Sequence, residues 1–191
     1  DAYDPQYDPA VKYTYTAEDL SGKAKDKAAL QSELGLDPEP GTMLVGIVSR
    51  LASHKGFDLV RCVGDEIMGL PIQLAVLGSG EAAYEAFFRG LQEHFSGRVR
   101  MVTGFDPRLA KHIYAGSDAF LMPSRSEPCG LSQMVALRYG SIPIVRETGG
   151  LKDSVRDLGG EGGNGFTFKT YNAHDMLDAV RRCAALYEDK E

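Results

Sequence analysis

Residues 124–140 read SRSEPCGLSQMVALRYG. Glu127 to Gly130 place a carboxylate, a proline, a thiol and a glycine where an apolar strand pattern hands over to an apolar helix pattern. A helix beginning near Cys129 would offer unpaired N–H groups and the positive end of its dipole, so the amides of Gly130, Leu131 and Ser132 form a candidate anion site. A carboxylate beside that site cannot face the same phosphate without repulsion. Glu127 is therefore expected to address a neutral, hydroxyl-rich group, and a phosphate next to a polyol points to a sugar nucleotide. The plainer alternative is an acid that only stabilises the helix end.

Arg50 and Lys55 stand five residues apart in SRLASHKGFD, also just after an apolar strand pattern. That spacing is too wide for one helical face but lets two side chains converge on one anion. A guanidinium fork and an ammonium point charge suit two phosphates. GSGEAA (78–83) matches G-x-G-x-x-A after a strand, but it is not on the first strand, and the next strand ends in Thr103-Gly104 rather than in an acid. A tight glycine turn is expected there instead of a dinucleotide site. Cys129 could be drawn as a thiolate nucleophile, yet no histidine falls at a spacing that identifies a base; it is expected to act through its backbone. His54 lies within the Arg50–Lys55 loop and is placed to reach the site, whereas His94, His112 and His174 read as helix-surface residues. With no HExxH, paired-His or D-x-D arrangement, no metal and no other cofactor is expected.

The elements that must position these residues follow from hydrophobic patterning. Apolar runs at 43–49, 72–78, 98–104, 118–124, 142–145 and 165–168 read as buried strands. Helical patterns lie between them. One carries Tyr84, Phe87, Phe88, Leu91 and Phe95 on a single face, and the last starts at a cap, Asn172, with Met176, Val180, Cys183 and Tyr187 aligned. Ser21 is expected to cap a charged helix through Leu34, closed by Gly35. Strand–helix alternation means βαβ units with right-handed crossovers. The fold class is thus α/β, a Rossmann-like doubly wound parallel sheet of about six strands. Residues 1–20 read as an extended lead-in and 21–191 as one domain, with EGGNG (161–165) a flexible turn inside it. In such sheets ligands bind at the carboxyl ends of the strands, where all these candidates lie.

The 191 residues carry a net charge of −6, which argues against nucleic acid or an anionic membrane as partner. No apolar run approaches the ~18 residues of a membrane span, and the first ten residues lack a signal peptide's regions. Three scattered cysteines without a CxxC pair fit a reducing compartment, and Cys62 and Cys183 read as core residues.

Taken together, GIVSRLASHKGFDLV (46–60), QLAVLGSGE (73–81), the DP-rich lead-in and DAFLMPSRSEPCGLSQMVALRYGSIPIVRETGGLKDSV (118–155) closely resemble the C-terminal nucleotide-binding domain of bacterial glycogen synthases and plant starch synthases. These are retaining glycosyltransferases of the two-domain GT-B fold. The resemblance implies ADP-glucose as donor and transfer of glucose to the non-reducing end of an α-1,4-glucan. It implies that Arg50 and Lys55 hold the diphosphate and stabilise departing ADP, and that Glu127 binds the donor glucose hydroxyls beside the backbone of Cys129 and Gly130. Leu131 and Ser132 would meet a phosphate, and Gly104 and Phe105 would lie against the adenine, with phenylalanine where a tyrosine is common. Val135 fills the second acidic place of the E-x7-E motif of related transferases. The resemblance further implies a preceding domain that binds the acceptor glucan and supplies a catalytic histidine, and a closing helix beyond Glu191. The chain is thus expected to be one half of the GT-B fold and without transfer activity alone. Its compartment would be the cytoplasm in a bacterium, which is favoured, or the plastid in a plant. Three other classes stay open at this level: a UDP-sugar-dependent retaining transferase, a non-catalytic sugar-nucleotide or glucan-binding module, and an oxidoreductase using GSGEAA.

Overall fold

A computed structural model describes residues 2–189. Six strands form one sheet: β1 (Met43–Val48), β2 (Ile72–Gly78), β3 (Val99–Thr103), β4 (Ala119–Met122), β5 (Ile142–Arg146) and β6 (Phe166–Phe168). Their order is β3-β2-β1-β4-β5-β6 and every pairing is parallel. The apolar runs became central strands because both faces are covered: all seven residues of β2 are buried. Alternation along β1 sorts its side chains between two layers. Met43, Val45 and Ile47 join Phe88 and Met176 on one face, whereas Leu44 joins Leu30, Ile113 and Tyr139 on the other.

The first layer contains α2 (Phe57–Cys62), α3 (Gly64–Met68), α4 (Ala82–His94) and α8 (Ala173–Glu188); the second contains α1 (Ser21–Leu34), α5 (Pro107–Gly116) and α6 (Ser132–Arg138). A short α7 (Gly149–Ser154) follows β5. The aromatic face of α4 buries Tyr84, Phe88 and Leu91, with Phe87 and Phe95 packed at its margin. Asn172 caps α8 as expected, accepting the N–H groups of His174 (2.9 Å) and Asp175 (3.2 Å). The α1 cap differs. Ser21 is the first helical residue, and it is the Asp19 carboxylate that accepts the Ser21 N–H at 3.0 Å, while Gly35 closes the helix at φ 66°.

Two expectations about cysteine divide. Cys183 is buried with its sulfur 3.7 Å from that of Met43, and burial pushes its thiol up to about 12. Cys62, expected in the core, is exposed, because the chain breaks at Val63 into two short helices and the apolar periodicity does not run through. The EGGNG turn is tied down by Asn164, which accepts the Arg156 N–H at 2.7 Å and donates to the Ser154 carbonyl at 3.1 Å.

Below the carboxyl edge, Lys27 locks α1 to the sheet. Its ammonium meets Asp118 at 2.7 Å, the carbonyls of Pro40 (3.0 Å) and Thr42 (2.6 Å) and the Tyr187 hydroxyl (2.8 Å). A buried ammonium is tolerated only when its donors are spent in this way.

The lead-in contains no helix or strand among residues 2–20, yet it is part of the body. Asp8, only 1% exposed, accepts hydrogen bonds from the Tyr139 hydroxyl, the Ala10 N–H (2.9 Å) and Lys111 (3.2 Å). Burial alone would raise this carboxyl, but those three donors outweigh it and hold it below its ordinary 3.8. A carboxylate depressed in the folded state contributes stability above its unfolded value and loses it as the pH falls through the folded value. In urea unfolding, the advantage of wild type over Asp8→Asn should be constant from about pH 7 to 5 and shrink below about pH 4. An advantage that grows on acidification would refute the anchor.

Candidate functional site

The strand order reverses between β1 and β4, so the loops that follow them diverge and open a crevice at the carboxyl edge of the sheet. After β1 the chain runs through Ser49 and Arg50 into a single 3-10 turn, Ser53–Lys55. Gly56 then turns at φ 84°, lying so close to β4's end that a Cβ there would sit 1.9 Å from the Pro123 carbonyl oxygen. Only glycine permits that approach, and the approach is what carries Lys55 across to the β4 loop. The Arg125 N–H donates to the His54 carbonyl at 2.8 Å and fastens the two loops together.

The result is an ion pair across the crevice. Lys55 Nζ lies 2.7 Å from Glu127 Oε2, with the side chains 19% and 12% exposed, and the Ser124 hydroxyl donates to the same oxygen at 3.2 Å. Partial burial makes this pair stronger than a surface one while leaving one edge of each group open. Arg50 stands beside it on the same cavity, about 180 Å³, together with Gly130, Leu131 and Ser132.

The loop bearing Glu127 rests on the one after β5. Gly149 (φ 47°) passes so near that a Cβ would lie 2.1 Å from the Glu127 carbonyl oxygen, and the Gly150 N–H donates to that oxygen at 3.0 Å. Gln133 closes the loop from inside, its amide donating to the Gly130 carbonyl (2.9 Å) and the Ser154 hydroxyl (3.1 Å). Gly130 turns at φ 65° and α6 begins at Ser132, three residues later than a start near Cys129. The N–H groups of Gly130, Leu131 and Ser132 have no acceptor among the described residues.

A second cavity of about 350 Å³ adjoins the first and shares Arg50 and Ser132 with it. Gly104 and Phe105 line it, together with Ser79, Tyr114 and Tyr3. Phe105 is 85% exposed, an aromatic face left open at the cavity wall. One end of the composite cleft is thus charged and the other aromatic.

Of the sequence-predicted residues, Arg50, Lys55, Glu127, Gly130, Leu131, Ser132, Gly104 and Phe105 all line these two cavities. Cys129 does not. Its thiol is exposed and its carbonyl packs against Gly150, where an added Cβ would lie 1.8 Å away, so its backbone is turned from the cleft. His54 contributes its carbonyl to the loop clasp but lines neither cavity. His112 is no free surface residue, since its Nδ1 lies 2.8 Å from Glu33. GSGEAA serves the backbone: Glu81 N–H donates to the Leu51 carbonyl at 2.9 Å and Leu51 N–H to that of Ser79 at 2.9 Å. A Cβ on Gly78 would meet the Ser49 carbonyl at 2.1 Å, so the glycine admits the β1 loop rather than a pyrophosphate. Sequence reasoning missed Ser124, Gln133, Gly149, Gly150 and Tyr3. The adjacent glycines after β5 were the one available signal. Among the described residues no three His, Cys, Asp or Glu side chains cluster as metal ligands, and no helix is long and apolar enough to cross a membrane.

Fold and cleft define a Rossmann-like α/β domain with a charged cleft at its switch point. Residues 32–191 match the model of the glycosyl transferases group 1 family, and the chain belongs to that family. It is 47% identical over 191 residues to a glycogen synthase of Anoxybacillus flavithermus and 49% identical over 189 residues to one of Bacillus cytotoxicus, covering 99% and 98% of this chain. The chain spans 40% of the length of each of these relatives. It superimposes on the catalytic domain of starch synthase IV from Arabidopsis thaliana, a structure bound to ADP and acarbose, with a TM-score of 0.93 and 40% identity over 100% of this chain and 40% of that one. A sucrose-phosphate synthase from Thermosynechococcus elongatus shares the fold at a TM-score of 0.64 and 22% identity over 86% of this chain and 42% of that one. The sheet is one Rossmann-like half of the GT-B architecture.

If Gly56 is what brings the two loops together, Gly56→Ala should lower stability by about 1–3 kcal/mol through strain at positive φ and the clash with Pro123. Urea unfolding measures this. An unchanged midpoint would mean that the loops meet without it.

Proposed function

We propose that this chain is the donor-binding domain of a glycogen or starch synthase, taking ADP-glucose as its nucleotide sugar. The observation that carries the proposal is the continuity of the cleft: Arg50, Lys55 and Glu127 on one cavity, opening through Arg50 and Ser132 onto the cavity faced by Phe105. A diphosphate against Arg50 and Lys55 puts the base toward Phe105 and the sugar toward Glu127. The 40–49% identity to glycogen and starch synthases supports the same choice.

In this reading Arg50 forks onto the diphosphate and Lys55 turns part of its charge from Glu127 to the phosphate. Both cations, with the free amides of Leu131 and Ser132, offset the negative charge that builds on ADP as the glycosidic bond breaks. Glu127, held by Ser124, accepts hydrogen bonds from glucose hydroxyls and fixes the ring. No step assigned to these residues requires a metal. The whole enzyme would transfer glucose with retention to the non-reducing end of an α-1,4-glucan. Acceptor binding would fall to the part of the relatives' length that this chain does not span, and this chain by itself is expected to transfer no glucose. A bacterial cytoplasm is the compartment proposed.

Calorimetric titration tests the donor site. ADP should bind the chain more tightly than UDP or NAD, and Arg50→Ala and Lys55→Ala should each weaken ADP by about 10- to 100-fold, the value of a charge-assisted hydrogen bond. NAD binding indifferent to both substitutions would sink the proposal, and UDP binding tighter than ADP would move it to a UDP-sugar transferase.

A further inference from the structure

Tyr3 lies in the lead-in, outside every element, yet it lines the same cavity as Phe105. Its position is fixed from below. Lys111 Nζ sits 5.5 Å from the centre of the Tyr3 ring, donates to the Ala2 carbonyl at 3.0 Å and pairs with the buried Asp8 at 3.2 Å. The lead-in is therefore held against α5 by a lysine whose partners leave it little freedom. Above it Tyr3 stays 52% exposed and Phe105 85% exposed.

Two exposed aromatic rings on one cavity, next to a cluster of cations, match what a nucleobase needs: flat apolar faces beside a charged seat for its phosphates. We infer that Tyr3 forms the second wall of the base site, so that a purine is bound between the lead-in and the loop after β3. The lead-in is then part of the donor site and not an approach to it. Because a purine presents a larger stacking face than a pyrimidine, Tyr3 also contributes to a preference for ADP over UDP. This inference rests on the donor-site proposal above.

The test titrates wild type, Tyr3→Ala, Tyr3→Phe, Phe105→Ala and Arg50→Ala with ADP, UDP and inorganic pyrophosphate, which lacks a base. Loss of one stacking wall is expected to weaken ADP about tenfold in Tyr3→Ala. UDP should fall less, pyrophosphate should be unchanged, and Tyr3→Phe should restore ADP. If Tyr3→Ala weakens ADP and pyrophosphate alike, the residue only supports the fold and the inference is wrong. ADP binding that depends on Arg50 and Phe105 but ignores Tyr3 overturns the inference alone. Failure of wild type to bind ADP, or ADP binding untouched by Arg50→Ala, overturns the donor site and Tyr3 with it.

Discussion

Parallel pairing of all six strands places every strand's carboxyl end on one edge, and the reversal of order at β1 and β4 splits that edge in its middle. The Lys55–Glu127 pair spans the split. Much of the local sequence reads as provision for it. Gly56 lets the β1 loop reach Pro123, Gly149 and Gly150 let the β5 loop support Glu127, and Gln133 ties Gly130 back to α7. These are small residues and a buried amide, placed where a Cβ or an unmet carbonyl would push the loops apart.

The Lys55–Glu127 pair is held mainly by its own Coulombic attraction. At 4 Å and an effective dielectric near 20, opposite unit charges attract by about 4 kcal/mol, so Lys55 does not leave Glu127 without a competing anion. A diphosphate carries more negative charge than one carboxylate and, in the proposed site, would arrive beside Arg50, which has no carboxylate partner among the described residues. In the proposed donor site the competition would favour sharing, with Lys55 bridging Glu127 and phosphate and Glu127 turning its freed capacity to hydroxyl groups. On that proposal, the residues that pair across the crevice would also be the contacts to the donor.

The sheet was plain in the sequence because the central strands are largely apolar runs buried on both faces, whereas edge strand β3 alternates buried and exposed residues. α4 and α8 were equally plain, since a single face of large side chains fixes their orientation. Short elements were not. Cys62 turned outward because a break at Val63 is set by packing rather than by periodicity, and α6 starts at Ser132 because Gly130 takes a left-handed turn first. Arg50, Lys55 and Glu127 were legible as residue types at strand ends, whereas Phe105 came only through the family resemblance. That Lys55 and Glu127 touch was not, since 72 residues separate them and only the sheet order brings them together. Tyr3 was invisible for the same reason, in a stretch without any periodicity at all.

On the proposed function, the crevice between the β1 and β4 loops holds the donor diphosphate. A crystal structure of this chain with ADP tests it most directly. Both phosphates should lie within hydrogen-bonding distance of Arg50 and Lys55, with the base against Phe105 and Lys55 still near Glu127. ADP lodged on the GSGE turn, or a Lys55–Glu127 pair that stays closed with the diphosphate elsewhere, would contradict it.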